Sequence, residues 1–239
     1  MATITMPLAG VRGRQVLVVR FTAAERAAHW VHFVAFSVLL VTGMFIYLPW
    51  LHAFAGGAAG EASRLIHRGA AVLFIAAPLV YLVFSPREFL YSLKESFTWG
   101  ADDVGWLKNA WGYYSQGKLG TMPPQGKYNS GQKLNALTQI ISFGLFVITG
   151  LIMWFGKGSV PSNVFLASVI VHDLAVIATV LLFMLHLYLV VLHPMMRESI
   201  TSMFEGTVTR AFAEEHHGKW YSERVLRKRE EEFDPLSKK

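Results

Sequence analysis

The chain has 239 residues, 53% of them hydrophobic and only 16% charged, with no cysteine and a formal net charge of +6. Soluble domains carry about 25% charged residues, so this is a membrane composition. Without thiolates, disulfides, iron–sulfur ligation, thiolate haem ligation and covalent haem attachment are all excluded. Any metal must be held by His, Met, Tyr or carboxylates, and nine histidines are available.

Taken in order, the first twenty residues lack the long apolar core and small-residue cleavage site of a secretory signal. The first apolar run, Ala27 to Leu48, is therefore expected to be a retained span. Further runs at Leu65 to Phe84, Leu134 to Phe155 and Val164 to His193 also reach the roughly 20 residues that a membrane helix needs. The link of residues 85–133 begins with amphipathic, aromatic stretches, EFLYSLKESF and WLKNAWGYY, expected to lie in the membrane interface. It ends in a Gly/Pro/Asn loop, GKLGTMPPQGKYNSGQK, leading into the third span. The expected fold is an all-α integral membrane protein, a four-transmembrane-helix bundle. Residues 1–223 form its domain and residues 224–239 a charged tail that is solvated or partner-bound.

Lysine and arginine placement orients the spans. The N-terminal arm (Arg12, Arg14, Arg20, Arg26), the 85–133 link and the tail carry almost all of them. The opposite side has only Arg64, Arg68 and Lys157. Both termini are thus expected in the cytoplasm. The positive charge is read as a topology signal, with no nucleic acid as partner.

Four histidines sit in or at the spans. His29 opens the first on the cytoplasmic side and His67 the second on the outer side. His172 and His186 are fourteen residues apart on the fourth. At 1.5 Å and 100° per residue they lie about 21 Å apart along the axis and about 40° round it, on one side of the helix. Their depths pair His29 with His186 on the inside and His67 with His172 on the outside. Imidazole pairs at matched depth are what six-coordinate b-type haems require, and closed bis-histidine ligation favours electron transfer over oxygen chemistry. Ionisable groups at membrane depth are costly and usually functional. His32 competes with His29, one turn away. His52, His193, His216 and His217 fall outside the apolar runs and are read as interfacial or solvated. Gly43, Gly69, Gly144 and Gly150 interrupt the spans; they leave room for a porphyrin face or, equally, for close helix packing. Asp173, beside His172, is a candidate proton or hydrogen-bond partner.

RFTAAERAAHW, the GKYNSGQK loop, the fourteen-residue histidine spacing and the ending SMFEGTVTRAFAEEHHGKWYSE together resemble the membrane cytochrome b556 (gamma) subunits of respiratory formate dehydrogenases, over about Val19 to Glu223. The resemblance implies two haem b groups, the inner on His29 and His186 and the outer on His67 and His172. It also implies a quinone site, for menaquinone or ubiquinone, at Asn129 and Gly131, with Gln132 a further contact. An Asn side chain or a backbone N–H can donate to a quinone carbonyl, and Gly lets the backbone approach. Asn and Ser before a helix also favour simple capping.

The implied partners are an iron–sulfur beta subunit and a molybdenum- or tungsten-containing catalytic alpha subunit, in the bacterial inner membrane. Electrons would run from the outer haem to the inner one and on to quinone near the cytoplasmic face. The chain itself would not oxidise formate. The alternatives are a dihaem cytochrome of another respiratory complex, such as a nickel–iron hydrogenase, and a haem-free structural anchor. The aromatic link ahead of GKYNSGQK departs from the family pattern in its length.

Overall fold

A computed structural model of the chain describes residues 11–12, 15–52, 56–118 and 122–226. The side chain of His52 and most of the 224–239 tail lie outside the described residues. The described residues form two compact units, one of residues 21–91 and one joining the N-terminal strands through Arg20 to the chain from Ser92 onward.

In the first unit, α1 (Ala23–Tyr47) and α3 (Gly57–Phe84) are a pair of long helices linked through a short turn of helix, α2 (Pro49–His52). Helix α1 starts at a reciprocal cap. The Glu25 amide donates to Thr22 Oγ1 at 3.2 Å and the Thr22 amide to Glu25 Oε2 at 2.8 Å, satisfying two otherwise orphaned donors. It stops at Leu48, held extended by the proline that follows. Late α1 meets early α3, where Ser63 Oγ donates to the Thr42 carbonyl. Early α1 meets mid α3, where the His32 and Phe74 rings are 4.2 Å apart. The pair is therefore antiparallel. Helix α4 (Pro86–Phe97) follows.

The second unit contains α5 (Ala101–Gln116), α6 (Ser130–Phe155) and α7 (Ser162–Leu187). Helix α7 runs on into a π-helical turn, Tyr188–Leu192, and then a 3-10 turn, Pro194–Met196. The unit closes with α8 (Arg197–Glu205), α9 (Arg210–His216), α10 (Gly218–Trp220) and a second π turn, Tyr221–Leu226. Three short strands, β1 (Val11–Arg12), β2 (Gln15–Val19) and β3 (Thr207–Thr209), form an antiparallel sheet in the order β1-β2-β3. Leu17 pairs with Thr209 and Val19 with Thr207. Val18, Val208, Phe212, Ala213, Trp220 and Tyr221 pack into a small core around it. This sheet is an addition to the all-helical expectation.

Four helices are long and apolar enough to cross a membrane: Ala23–Tyr47, Gly57–Phe84, Ser130–Phe155 and Ser162–Leu192. The 25 residues of the shortest reach about 38 Å, against a hydrocarbon core of about 30 Å. All four expected spans are present. The second begins at Gly57, before Leu65, because Glu61 and Arg64 interrupt the apolar run but not the helix. Large apolar side chains such as Val83, Leu181 and Leu192 are exposed, as a lipid-facing surface requires.

Candidate functional site

His67 and His172 are built alike. His67 Nδ1 lies 2.9 Å from Thr42 Oγ1 on the facing helix, and His172 Nδ1 lies 2.8 Å from Thr149 Oγ1. Each hydroxyl has one hydrogen. Thr42 Oγ1 is 2.7 Å from the Val38 carbonyl, and Thr149 Oγ1 is 2.6 Å from the Leu145 carbonyl. A carbonyl can only accept, so at these distances the hydroxyl hydrogen goes to the carbonyl, four residues back in its own helix. The ring must therefore donate from Nδ1–H to the threonine oxygen. Both imidazoles are thus held with Nδ1–H toward the threonine, so that the neutral ring carries its lone pair on Nε2, the form a metal ligand needs.

A glycine follows each threonine. A Cβ at Gly43 would sit 3.5 Å from His67 Cε1, and one at Gly150 would sit 4.0 Å from His172 Cε1; at Gly69 and Gly144 it would meet nothing within 4 Å. The glycines let the threonine helices approach the imidazoles at van der Waals distance, and the His172 ring also packs against Phe146, centroids 5.0 Å apart; the open space is at Gly69 and Gly144. A bare metal ion asks for three or four protein ligands, and among the described residues no group of three or more His, Asp or Glu gathers to hold one. A haem brings four nitrogens of its own and needs only axial imidazoles and room for a flat ring. The residues present fit a haem.

His29 and His67 belong to the first unit, His172 and His186 to the second. The His29 ring meets Trp30 edge-on at 5.3 Å. His186 lies half-buried in the last turn of α7, two residues before the π turn. The ring of His32 packs against Phe74, a packing role within the helix pair.

The loop residues take structural parts that their sequence also allowed. Asn129 Oδ1 accepts from the Gln132 amide at 2.9 Å, and Gln132 Oε1 accepts from the Asn129 amide at 3.1 Å, a reciprocal cap that starts α6. Asn129 also donates to the Tyr114 phenol, whose pKa burial pushes up to about 12 against the opposing pull of that bond. A Cβ at Gly131 would come within 3.1 Å of the Trp106 ring, so the close approach made there in this structure is by Trp106. The α5–α6 junction is further held by a buried ion pair, Lys133 Nζ to Asp103 Oδ1 at 2.9 Å. Ser130 Oγ donates to the same oxygen at 3.0 Å. Burial raises the Asp103 pKa, but the hydrogen bonds from Lys133, Gly100 N–H and Ser130, with the Lys133 charge, outweigh it and hold the carboxyl below its ordinary value.

The tail corrects one expectation. His216 and His217 are buried, His217 to 1% exposure, not solvated. They lie outside any apolar run, but α9 presents them inward beside Phe212. His216 Nδ1 is 2.5 Å from the Tyr113 hydroxyl. Burial, aided by the Arg20 charge, pushes the His216 pKa down to about 4 and that of His217 well below the usual range. His193, also read as interfacial or solvated, is half-buried, with Nε2 2.9 Å from the Tyr114 carbonyl.

Three successive carbonyls of the loop are held from distant parts of the chain. Gln125 O accepts from the Lys219 amide at 3.0 Å, Gly126 O from His217 Nδ1 at 2.9 Å and Lys127 O from Arg20 Nη2 at 3.2 Å. Loop, tail and N-terminal strand are one interlocked structure.

Membrane-length helices that present imidazoles held at Nδ1 by threonines, with no cluster of ligands for a bare metal among the described residues, are those of a membrane cytochrome of the b type. The chain belongs to the prokaryotic cytochrome b561 family, whose model matches residues 20–206. It is 30% identical over 217 residues, 88% of this chain and 94% of the relative, to the formate dehydrogenase cytochrome b556(fdo) subunit of Escherichia coli (strain K12). It is 27% identical over 221 residues, 90% of this chain and 87% of the relative, to the formate dehydrogenase cytochrome b556 subunit of Haemophilus influenzae. To the nitrate-inducible formate dehydrogenase cytochrome b556(Fdn) subunit of Escherichia coli (strain K12) it is 27% identical over 213 residues, 87% and 91% of the two chains. The chain is a multi-pass membrane cytochrome that carries haem b and transfers electrons.

The histidines were readable in the sequence; Thr42 and Thr149 were not singled out. The signal that could have found them is a repeated dipeptide, Thr-Gly, ahead of a histidine on the next helix: Thr42-Gly43 before His67, and Thr149-Gly150 before His172.

Proposed function

We propose that the chain is the membrane anchor and electron-transfer subunit of a formate dehydrogenase complex, linking its iron–sulfur and molybdenum- or tungsten-containing subunits to menaquinone or ubiquinone in the bacterial inner membrane. His29 and His186 hold an inner haem b; His67 and His172 hold an outer one. Asn129, Gly131 and Gln132 contact quinone. Residues 1–223 form the cytochrome domain and residues 224–239 its tail, with both termini cytoplasmic.

The observation that carries this reading is the matched construction of His67 and His172, each with Nδ1 tied down and Nε2 left to bind. The relatives' names supply the formate dehydrogenase context, and the packing of His32 on Phe74 favours His29 for the inner site. When bound, a bis-imidazole haem supplies a one-electron carrier with no open coordination position. The residues of the chain do the rest. The threonines orient the two rings, and the apolar spans keep water from them. The Asn129 amide, buried at the mouth of α6, is placed to donate to a quinone carbonyl if it leaves Tyr114. Reducing one quinone consumes two electrons and two protons, and a cytoplasmic site takes those protons from the cytoplasm. Lys and Arg placement supports that orientation.

Purification of the tagged chain from its own membranes tests the assignment. It is expected to bring down iron–sulfur and pterin-containing subunits and a b haem that formate reduces. A b haem reduced by hydrogen and not by formate would assign the chain to a hydrogenase instead.

A further inference from the structure

We infer that Thr42 and Thr149 are positioning residues for the outer haem iron: each holds one of its two imidazole ligands in the Nδ1–H tautomer and tunes the electron density its Nε2 donates. The inference rests on the reading of His67 and His172 as ligands.

The two sites share the threonine–histidine arrangement. In each unit a threonine on the first spanning helix gives its hydrogen to the carbonyl one turn back, at 2.7 Å for Thr42 and 2.6 Å for Thr149. In each, the freed oxygen lone pair takes the histidine Nδ1–H from the second helix, at 2.9 and 2.8 Å. In each, the next residue is glycine, whose missing Cβ would lie 3.5 Å from His67 Cε1 or 4.0 Å from His172 Cε1. A threonine in an apolar helix needs only its backbone carbonyl to be satisfied. Placing that hydroxyl opposite an imidazole twice, with a glycine after it each time, has no packing explanation: valine fills the same volume without a polar group to bury.

The chemistry follows from the direction of the bond. An acceptor on Nδ1–H draws the proton outward, which makes Nε2 a stronger donor. A stronger donor favours the ferric over the ferrous state and lowers the reduction potential. The bond also fixes the plane of the ring about the Cβ–Cγ axis, and with it the ligand-field symmetry at the iron. Loss of an outer partner of this kind typically costs 10–100-fold in metal affinity.

Thr42→Val and Thr149→Val in the full chain, purified with its complex, test this. Each is expected to raise the midpoint potential of the same, outer haem, shift its low-spin ferric EPR signal and weaken its retention about tenfold or more, and Thr42→Ser is expected to keep all three near those of the unmodified protein. Potentials and EPR signals unchanged in both valine variants would overturn the inference, provided His67→Ala still removes a haem. If His67→Ala leaves every haem in place, the ligand reading itself fails and the inference with it. Should the valine variants not accumulate, the redox-difference infrared spectrum of the unmodified protein decides. Its imidazole C–N band is expected at the position of a strongly hydrogen-bonded Nδ1–H, and a band at the unbonded position would overturn the inference.

Discussion

Asn129 shows how one side chain can serve structure and function at once. Its oxygen caps α6 and its nitrogen reaches Tyr114. Asn129→Ala removes both, and is expected to cost about 1 kcal/mol of stability through the lost cap as well as impairing quinone reduction. Asn129→Asp keeps the cap oxygen and loses only the amide donor. It is expected to fold like the unmodified chain and retain both haems while quinone reduction falls. Normal quinone kinetics in Asn129→Asp would leave Asn129 as a cap alone. Gly131→Ala is a packing test of the same turn. Its methyl would press on Trp106, with an expected loss of about 1–3 kcal/mol in thermal unfolding.

The tail histidines carry a pH dependence whose sign is fixed by burial. The His216 pKa is lowered from 6.5 to about 4, so between those values the unfolded chain binds a proton that the folded one refuses. The stability contributed by neutral His216 is full above pH 6.5 and is lost as pH falls toward 4. His217 shifts in the same direction and adds to it. Asp103 acts below this window: its lowered pKa means stability lost only as pH drops under the ordinary carboxylate range. The protection of amides in residues 207–226, with the intrinsic pH dependence of exchange divided out, is expected to fall between pH 6.5 and 4, and to do so less in His216→Phe. Protection factors that stay constant across this range would contradict the buried neutral assignment.

At the scale of elements, α5 has two apolar faces. Asp103, Trp106 and Tyr113 are buried against its own unit, and Asp103 is tied to Ser130 and Lys133 in the first turn of the α6 span. Val104, Leu107 and Trp111 form a second stripe about 120° round the helix, exposed, with Trp111 at 79%. A helix bonded to the mouth of a span and carrying such a stripe is expected to lie in the lipid interface. Because the chain has no cysteine, single cysteines at Val104, Leu107, Trp111 and Asn109 can be spin-labelled cleanly. In lipid nanodiscs the first three are expected to favour collision with oxygen and Asn109 with a water-soluble nickel chelate. Chelate access equal at all four would place α5 in water.

The spans were legible because a run of some twenty apolar residues has few alternatives. Long-range pairing was not. Strands β2 and β3 are five and three residues long and lie at opposite ends of the chain, although QVLVV and TVT are rich in β-branched residues. The loop and tail motifs were conspicuous in the sequence as separate features. What could not be read was that the tail's His217 bonds the loop's Gly126 carbonyl. His216 and His217 were misjudged because hydropathy runs report continuous burial, and α9 buries one face of a short, charged helix.

For the whole molecule the central claim is that four histidines, drawn two from each helix pair, hold two haems. Electrons crossing a membrane need carriers at two depths, and moving one charge across the full membrane is worth about 2.3 kcal/mol per 100 mV. His186→Ala is expected to remove one haem and stop quinone reduction while the other haem stays reducible. The most direct measurement is the haem count per polypeptide, from a reduced-minus-oxidised optical spectrum, for the unmodified chain and for His67→Ala and His186→Ala. Two b-type haems in the unmodified chain and one in each variant is the predicted result. A single haem in the unmodified chain, or two low-spin haems surviving in either variant, would contradict it.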